Sequence, residues 1–96
     1  MFMKIHKTEQ DIILAACDEE LAGKTFRDGV AKIDVSEIFY KGQQVDGAGL
    51  SERMKDVSIM NLVGDEVIAV AIQEGYVTEG DVILIGGVKH VDRKST

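Results

Sequence analysis

Between Val57 and Ile85 the chain carries the pattern that most restricts its fold. An apolar stretch of strand length ends at Val63, Gly64 breaks it, an apolar helix follows, and after Gly75 a second apolar stretch begins at Val82. The spacing predicts a helix over Asp65–Glu74, capped by Asp65 and ended by Gly75, which can take the left-handed conformation a helix end requires. Val67, Ile68, Val70, Ala71 and Ile72 leave only a narrow polar stripe, so a sheet and a neighbouring element must cover most of its surface. Val82–Ile85 reads as a buried strand closed by Gly86 and Gly87. The second half of the chain is therefore β-α-β, right-handed if its strands are parallel.

Upstream, Met1, Met3 and Ile5 alternate with Phe2, Lys4 and His6, the period of a half-buried strand with Lys4 and His6 toward its wetter face. Asp11 to Cys17 has the continuous apolar content of a strand buried on both faces, and a hairpin should join the two. Asp18 can cap a short turn that Gly23 ends. Arg27, Asp28 and Gly29 read as a turn, leading to a strand over Ala31, Ile33 and Val35. Ser36 to Asp46 mixes its periods and reads as a loop with room for a helical turn. Leu50, Met54 and Val57 recur at helical spacing. Gly47 and Gly49 each cost about 1 kcal/mol of helix propensity, which favours a late start capped by Ser51 over one capped by Asp46.

A chain of 96 residues has room for one core, so all these elements must share it. The expectation is a single α+β domain over 1–96, a two-layer sandwich with a mixed sheet of four to six strands and two main helices, and a flexible tail over 92–96. Cys17 is the lone cysteine, so no internal disulfide or Cys-x-x-Cys metal site exists, and a reducing, cytoplasmic compartment is expected. Ile12–Cys17, an apolar run that no other exceeds, is far short of the roughly 18 residues a membrane helix needs, and no secretory h-region is expected after Met1. No membrane partner is expected.

Motifs that carry chemistry are few. Gly23, Lys24 and Thr25 imitate the end of a phosphate-binding P-loop, but the leading glycine would fall at Asp18 and a turn stands where the motif needs a helix. Cys17 precedes Asp18, Glu19 and Glu20, whose charges oppose a reactive thiolate. Ser36, Ser51 and Ser58 lack the Gly-x-Ser-x-Gly elbow, and neither His6 nor His90 sits in a zinc pattern. No catalytic residue, metal ligand or cofactor is assigned.

Charge is more informative. The net charge is −6, yet residues 1–7 hold Lys4 and Lys7 without an acid, and residues 89–96 hold Lys89, Arg93 and Lys94 against Asp92. Residues 8–88 carry six bases against sixteen acids. Both histidines fall in the basic ends. If the first and last strands lie side by side, Lys4, His6, Lys7, Lys89, His90 and Arg93 form one basic patch, and Gly86 and Gly87 would let a phosphate approach the backbone there.

Lys4-Ile5-His6-Lys7, Asn61-Leu62-Val63-Gly64 and Ile85-Gly86-Gly87-Val88 with His90, in that order, resemble an archaeal family catalogued as domain of unknown function four-two-four. The resemblance runs to about His90 and implies an archaeal, cytoplasmic, single-domain α+β protein, with no activity, cofactor or catalytic residue to carry over. Such members have a better helix-forming run after Asp46 than Gly47 and Gly49 provide here.

Three functional classes follow. The basic ends on an acidic body suit a non-catalytic module that docks on RNA or a ribonucleoprotein. An exposed apolar surface around Phe39 and Tyr40 would suit an acidic protein-protein adaptor. A small enzyme would use His6 or His90 as acid/base, with Asp11 or Asp92 as partner.

Overall fold

The structure, a computed structural model, describes residues 1–94. Strand β1 (Phe2–Lys7) turns through Thr8–Asp11 into the antiparallel β2 (Ile12–Cys17), where Thr8 N–H donates to the Asp11 carbonyl at 2.9 Å. A separate hairpin, β3 (Thr25–Asp28) and β4 (Ala31–Asp34), leads to the one-turn helix α1 (Glu37–Tyr40) and the short β5 (Gln43–Gln44). Helix α2 (Gly47–Met54), β6 (Ile59–Val63), α3 (Asp65–Gln73), β7 (Ile83–Ile85) and β8 (Val88–Lys94) complete the chain. The main sheet has six strands in the order β5-β1-β2-β6-β8-β7, with β2 and β6 parallel and every other pairing antiparallel. β6 and β7 are the parallel strands of the β-α-β unit, and β8 returns between them.

Alternation along the strands divides the apolar residues between two faces. Met3, Leu14, Ala16, Met60, Leu62 and Val91 pack on Leu50 and Met54 of α2 and on Val67, Ile68 and Ala71 of α3. On the opposite face Ala15, Cys17, Val63 and Ile85 pack beneath Ile33, Val35 and Tyr40, so the small hairpin and α1 cover that side in part. β2 is central and covered on both sides, which explains its unbroken apolar run.

Several elements differ from expectation for local reasons. β3 was expected as a turn: only Phe26 of its four residues is even half-buried, so the strand leaves no alternating apolar signal. α2 starts at Gly47 rather than at Ser51, because the Asp46 carboxylate accepts the Gly49 N–H at 2.8 Å and Gly47 lies against Val70 of α3. β7 is an edge strand, not a buried one, and Ile83 and Leu84 are 53% and 62% exposed. Asp92, Arg93 and Lys94 are not a free tail: they extend β8 and pair with Asn61, Met60 and Ile59, held by the same ladder that buries Val91. The rest of that expected tail, 95–96, lies outside the described residues.

The helix cap at α3 also comes from elsewhere. Gly64, not Asp65, is the cap residue, and it offers no side chain. The Asp18 carboxylate, at the end of the neighbouring parallel strand β2, accepts the N–H groups of Glu66 and Val67, both at 3.0 Å. Two orphan donors of the helix are thereby satisfied by a residue distant in sequence. Asp18 is only 3% exposed, and burial pushes its carboxyl above the ordinary value against the opposing pull of the two N–H donors. Gly64 adopts φ +115°, and any Cβ there would fall inside the Asp18 carboxylate.

Candidate functional site: the open edge of the first strand

The two basic ends do not meet. β2 and β6 lie between β1 and β8, which places those strands about 14 Å apart. At the carboxyl end the cations are already engaged: Lys89 with Asp65 at 3.7 Å, Arg93 with Asp81 at 2.9 Å and Lys94 with Asp11 at 3.4 Å. Such exposed pairs add little stability, but they cancel the positive field that sequence position alone suggests. The Asp81 carboxyl is held below its usual value by the Thr78 backbone N–H and by Arg93.

At the amino end the terminal ammonium pairs with Glu19 at 3.9 Å, but Lys4 and Lys7 carry no ion pair among the described residues. β5 pairs only with Phe2 and Met3, so beyond Met3 the outer edge of β1 has no strand beside it among the described residues. Lys4 and Lys7 point to opposite faces of this edge. Arg53, in the last turn of α2, borders two shallow grooves along the strand, one lined by Lys4 and the other by Lys7. None of these three cations is ion-paired with a carboxylate among the described residues. Lys4 Nζ donates to the Ile38 carbonyl at 2.7 Å, which leaves donors to spare on its ammonium. Arg53 carries no sequence signal for this site, because only the fold brings α2 against β1.

His6 projects from the same edge and face as Lys4. Its Nε2–H donates to the Phe39 carbonyl at 2.8 Å, and its ring stacks on that of Phe39 with centroids 4.5 Å apart and planes 10° from parallel. Both residues are half-buried, so part of each stays open to solvent. Tyr40 is not a surface aromatic. It is 4% exposed, and burial raises its hydroxyl pKa well above the ordinary phenol range.

His90 belongs to a different cluster. Asn61 Oδ1 accepts the Tyr40 hydroxyl at 2.6 Å and faces His90 Nε2 at 3.1 Å. An amide oxygen only accepts, so Nε2 carries the imidazole proton and Nδ1 is a bare, buried nitrogen without a partner among the described residues. Desolvation lowers the His90 pKa below its ordinary value, against the opposing field of Asp92. The unfolded chain therefore binds a proton that the folded one refuses, and stability should fall as pH drops below about 6.5. A His90→Phe variant should lose that part of the acid sensitivity in urea titrations at stepped pH; an unchanged profile would contradict the assignment.

The pairing registers set His6 and His90 about 20 Å apart on one face of the sheet. The acid/base reading, which depended on the two segments converging, loses its motivation. Asp11 is occupied by the Ser58 hydroxyl at 2.9 Å and by Lys94. Cys17 is fully buried, with its thiol pushed up to about 11 chiefly by desolvation, and it stays protonated at neutral pH. Gly86 and Gly87 form the tight turn between β7 and β8, with φ +58° and +81° at its two positions. A Cβ on Gly86 would sit 2.8 Å from the Arg27 carbonyl, and Gly87 borders a groove that also holds Asp18, Glu20 and Asp65. No cluster of His, Cys, Asp and Glu among the described residues could hold a metal ion, and no described helix is long and apolar enough to cross a membrane.

The fold and its open basic edge define a small mixed-sheet α+β domain whose visible chemistry is that of a surface. The chain belongs to the family described as Protein of unknown function (DUF424), which matches residues 6–92. Its fold is similar to that in the crystal structure of an uncharacterized conserved protein from Methanopyrus kandleri, with TM-score 0.84 and 24% identity over 99% of this chain and 92% of that one. A search of curated proteins found no match.

Proposed function

We propose that this domain is a non-catalytic module that docks on RNA, alone or within a ribonucleoprotein, through the open edge of β1. The observation that supports this reading is the set Lys4, Lys7 and Arg53, unpaired with any acid among the described residues, on a protein of net charge −6. A cationic edge on an acidic body orients the domain toward phosphate and repels its other faces. Lys89 and Arg93, neutralised by Asp65 and Asp81, lie outside the proposed surface.

The test is gradient sedimentation of the tagged protein in native lysate, at low and high salt, with and without ribonuclease. The wild type should travel with RNA-containing fractions and be released by salt or ribonuclease, because phosphate contacts weaken steeply with ionic strength. Lys4→Glu with Lys7→Glu and Arg53→Glu should abolish the association, and Lys89→Glu with Arg93→Glu should leave it. Wild-type protein that stays at the top of the gradient throughout would overturn the reading. A protein partner is the second reading, favoured by the exposed Ile83 and Leu84 on the β7 edge. Sedimentation that survives ribonuclease and is lost in Leu84→Glu would transfer the function to that edge.

A further inference from the structure

We infer that the β1 edge is built for single-stranded RNA, with the His6–Phe39 pair as a stacking platform for an unpaired base. This inference rests on the RNA-docking reading and adds the form of nucleic acid it takes. His6 and Phe39 come from different elements, yet their rings are parallel within 10° at 4.5 Å, held by the His6 Nε2–H bond to the Phe39 carbonyl. Phe39 also meets the buried Tyr40 edge-on at 5.0 Å, a second contact that holds its plane. The pair is therefore pre-oriented, and because both residues are only partly buried, a base laid on the part that reaches solvent would extend the stack without ordering a loose side chain.

Phosphate contacts lie where such a base would need them. Lys4 and His6 share one face of β1, about 7 Å apart along the strand. Lys7 and Arg53 line the groove on the other face of the edge, two cations against the one carboxylate of Asp56. Duplex RNA keeps its base faces stacked inward and would meet only the cations, so an aromatic platform beside a cationic strand discriminates in favour of unpaired nucleotides. Stacking tolerates every base, so the preference is for strandedness rather than for one sequence.

The experiment is fluorescence anisotropy with the purified full chain and a labelled unstructured twelve-nucleotide RNA, against the same RNA annealed to its complement. The wild type should bind the single strand about tenfold more tightly than the duplex, the value of one stacked base. His6→Ala should remove that preference and leave the duplex affinity and the salt slope unchanged. His6→Phe, which keeps an aromatic face, should restore it. Thermal melting of each variant separates a lost platform from a lost fold, and His6→Phe serves as the folded reference if His6→Ala is unstable. Equal binding of single strand and duplex by the wild type, or undiminished preference in a folded His6→Ala, would overturn the inference and leave the basic-edge reading standing. No binding of either RNA at low salt would sink that reading and the inference with it.

Discussion

Gly64→Ala should lower the thermal unfolding midpoint by about 15 to 30 °C, a loss of about 3 to 5 kcal/mol in a domain of this size. Two effects combine at this position. A φ of +115° lies in a region that side chains rarely adopt, and the new methyl would occupy the place of the Asp18 carboxylate. To accommodate it Asp18 must leave, and the Glu66 and Val67 N–H groups then lose their acceptor at the buried start of α3. Circular dichroism melts measure the effect directly, and a midpoint within a few degrees of wild type would show that the junction relaxes at little cost.

Asp18→Ala attacks the same junction from the other side. Removing the carboxylate strands two helix donors, one of them fully buried, and should cost about 2 to 4 kcal/mol. Asp18→Asn should fall between wild type and alanine, because an amide has one acceptor oxygen and turns its nitrogen toward an N–H. The two sites should also be strongly non-additive. With Asp18 truncated, an alanine at Gly64 no longer meets a carboxylate, so its cost should shrink to the backbone strain alone, about 1 to 3 kcal/mol. Denaturant unfolding of the four proteins closes the cycle; additive losses would mean that Asp18 and Gly64 are not coupled as described.

The elements that could be read in the sequence are those whose signal is local. The apolar run of β2, the alternation in β1 and the helix between Gly64 and Gly75 each carry their own period, and the structure forms them within a residue or two. The membership of the family was legible too, and the match over residues 6–92 bears it out. What could not be read depends on neighbours. β3 is exposed on most of its positions, α2 tolerates Gly47 and Gly49 because Asp46 and Val70 stand beside them, and the α3 cap is lent by Asp18 across a parallel strand pair.

The candidate surface divides in the same way. Lys4, His6 and Lys7 could be seen as a basic segment, but sequence position cannot distinguish them from Lys89 and Arg93, whose charges are cancelled only once Asp65 and Asp81 fold against them. Arg53 and the stacking of Phe39 on His6 are products of the fold, without any spacing rule that would announce them.

The insertion of β8 between β6 and β7 governs the order in which this molecule can assemble. Among the described residues β7 pairs in the main sheet with β8 alone, and Val91 contributes a buried side chain to the helix-face core. A nascent chain that has been synthesised through Ile85 holds every described helix and most described strands but cannot close its sheet, because the middle strand of its second half is still to come. Folding is thus tied to the late, long-range pairing of β8 with β6 rather than to stepwise growth from the amino end. Until that pairing forms, the apolar flank of β6 stays uncovered and vulnerable to wrong association.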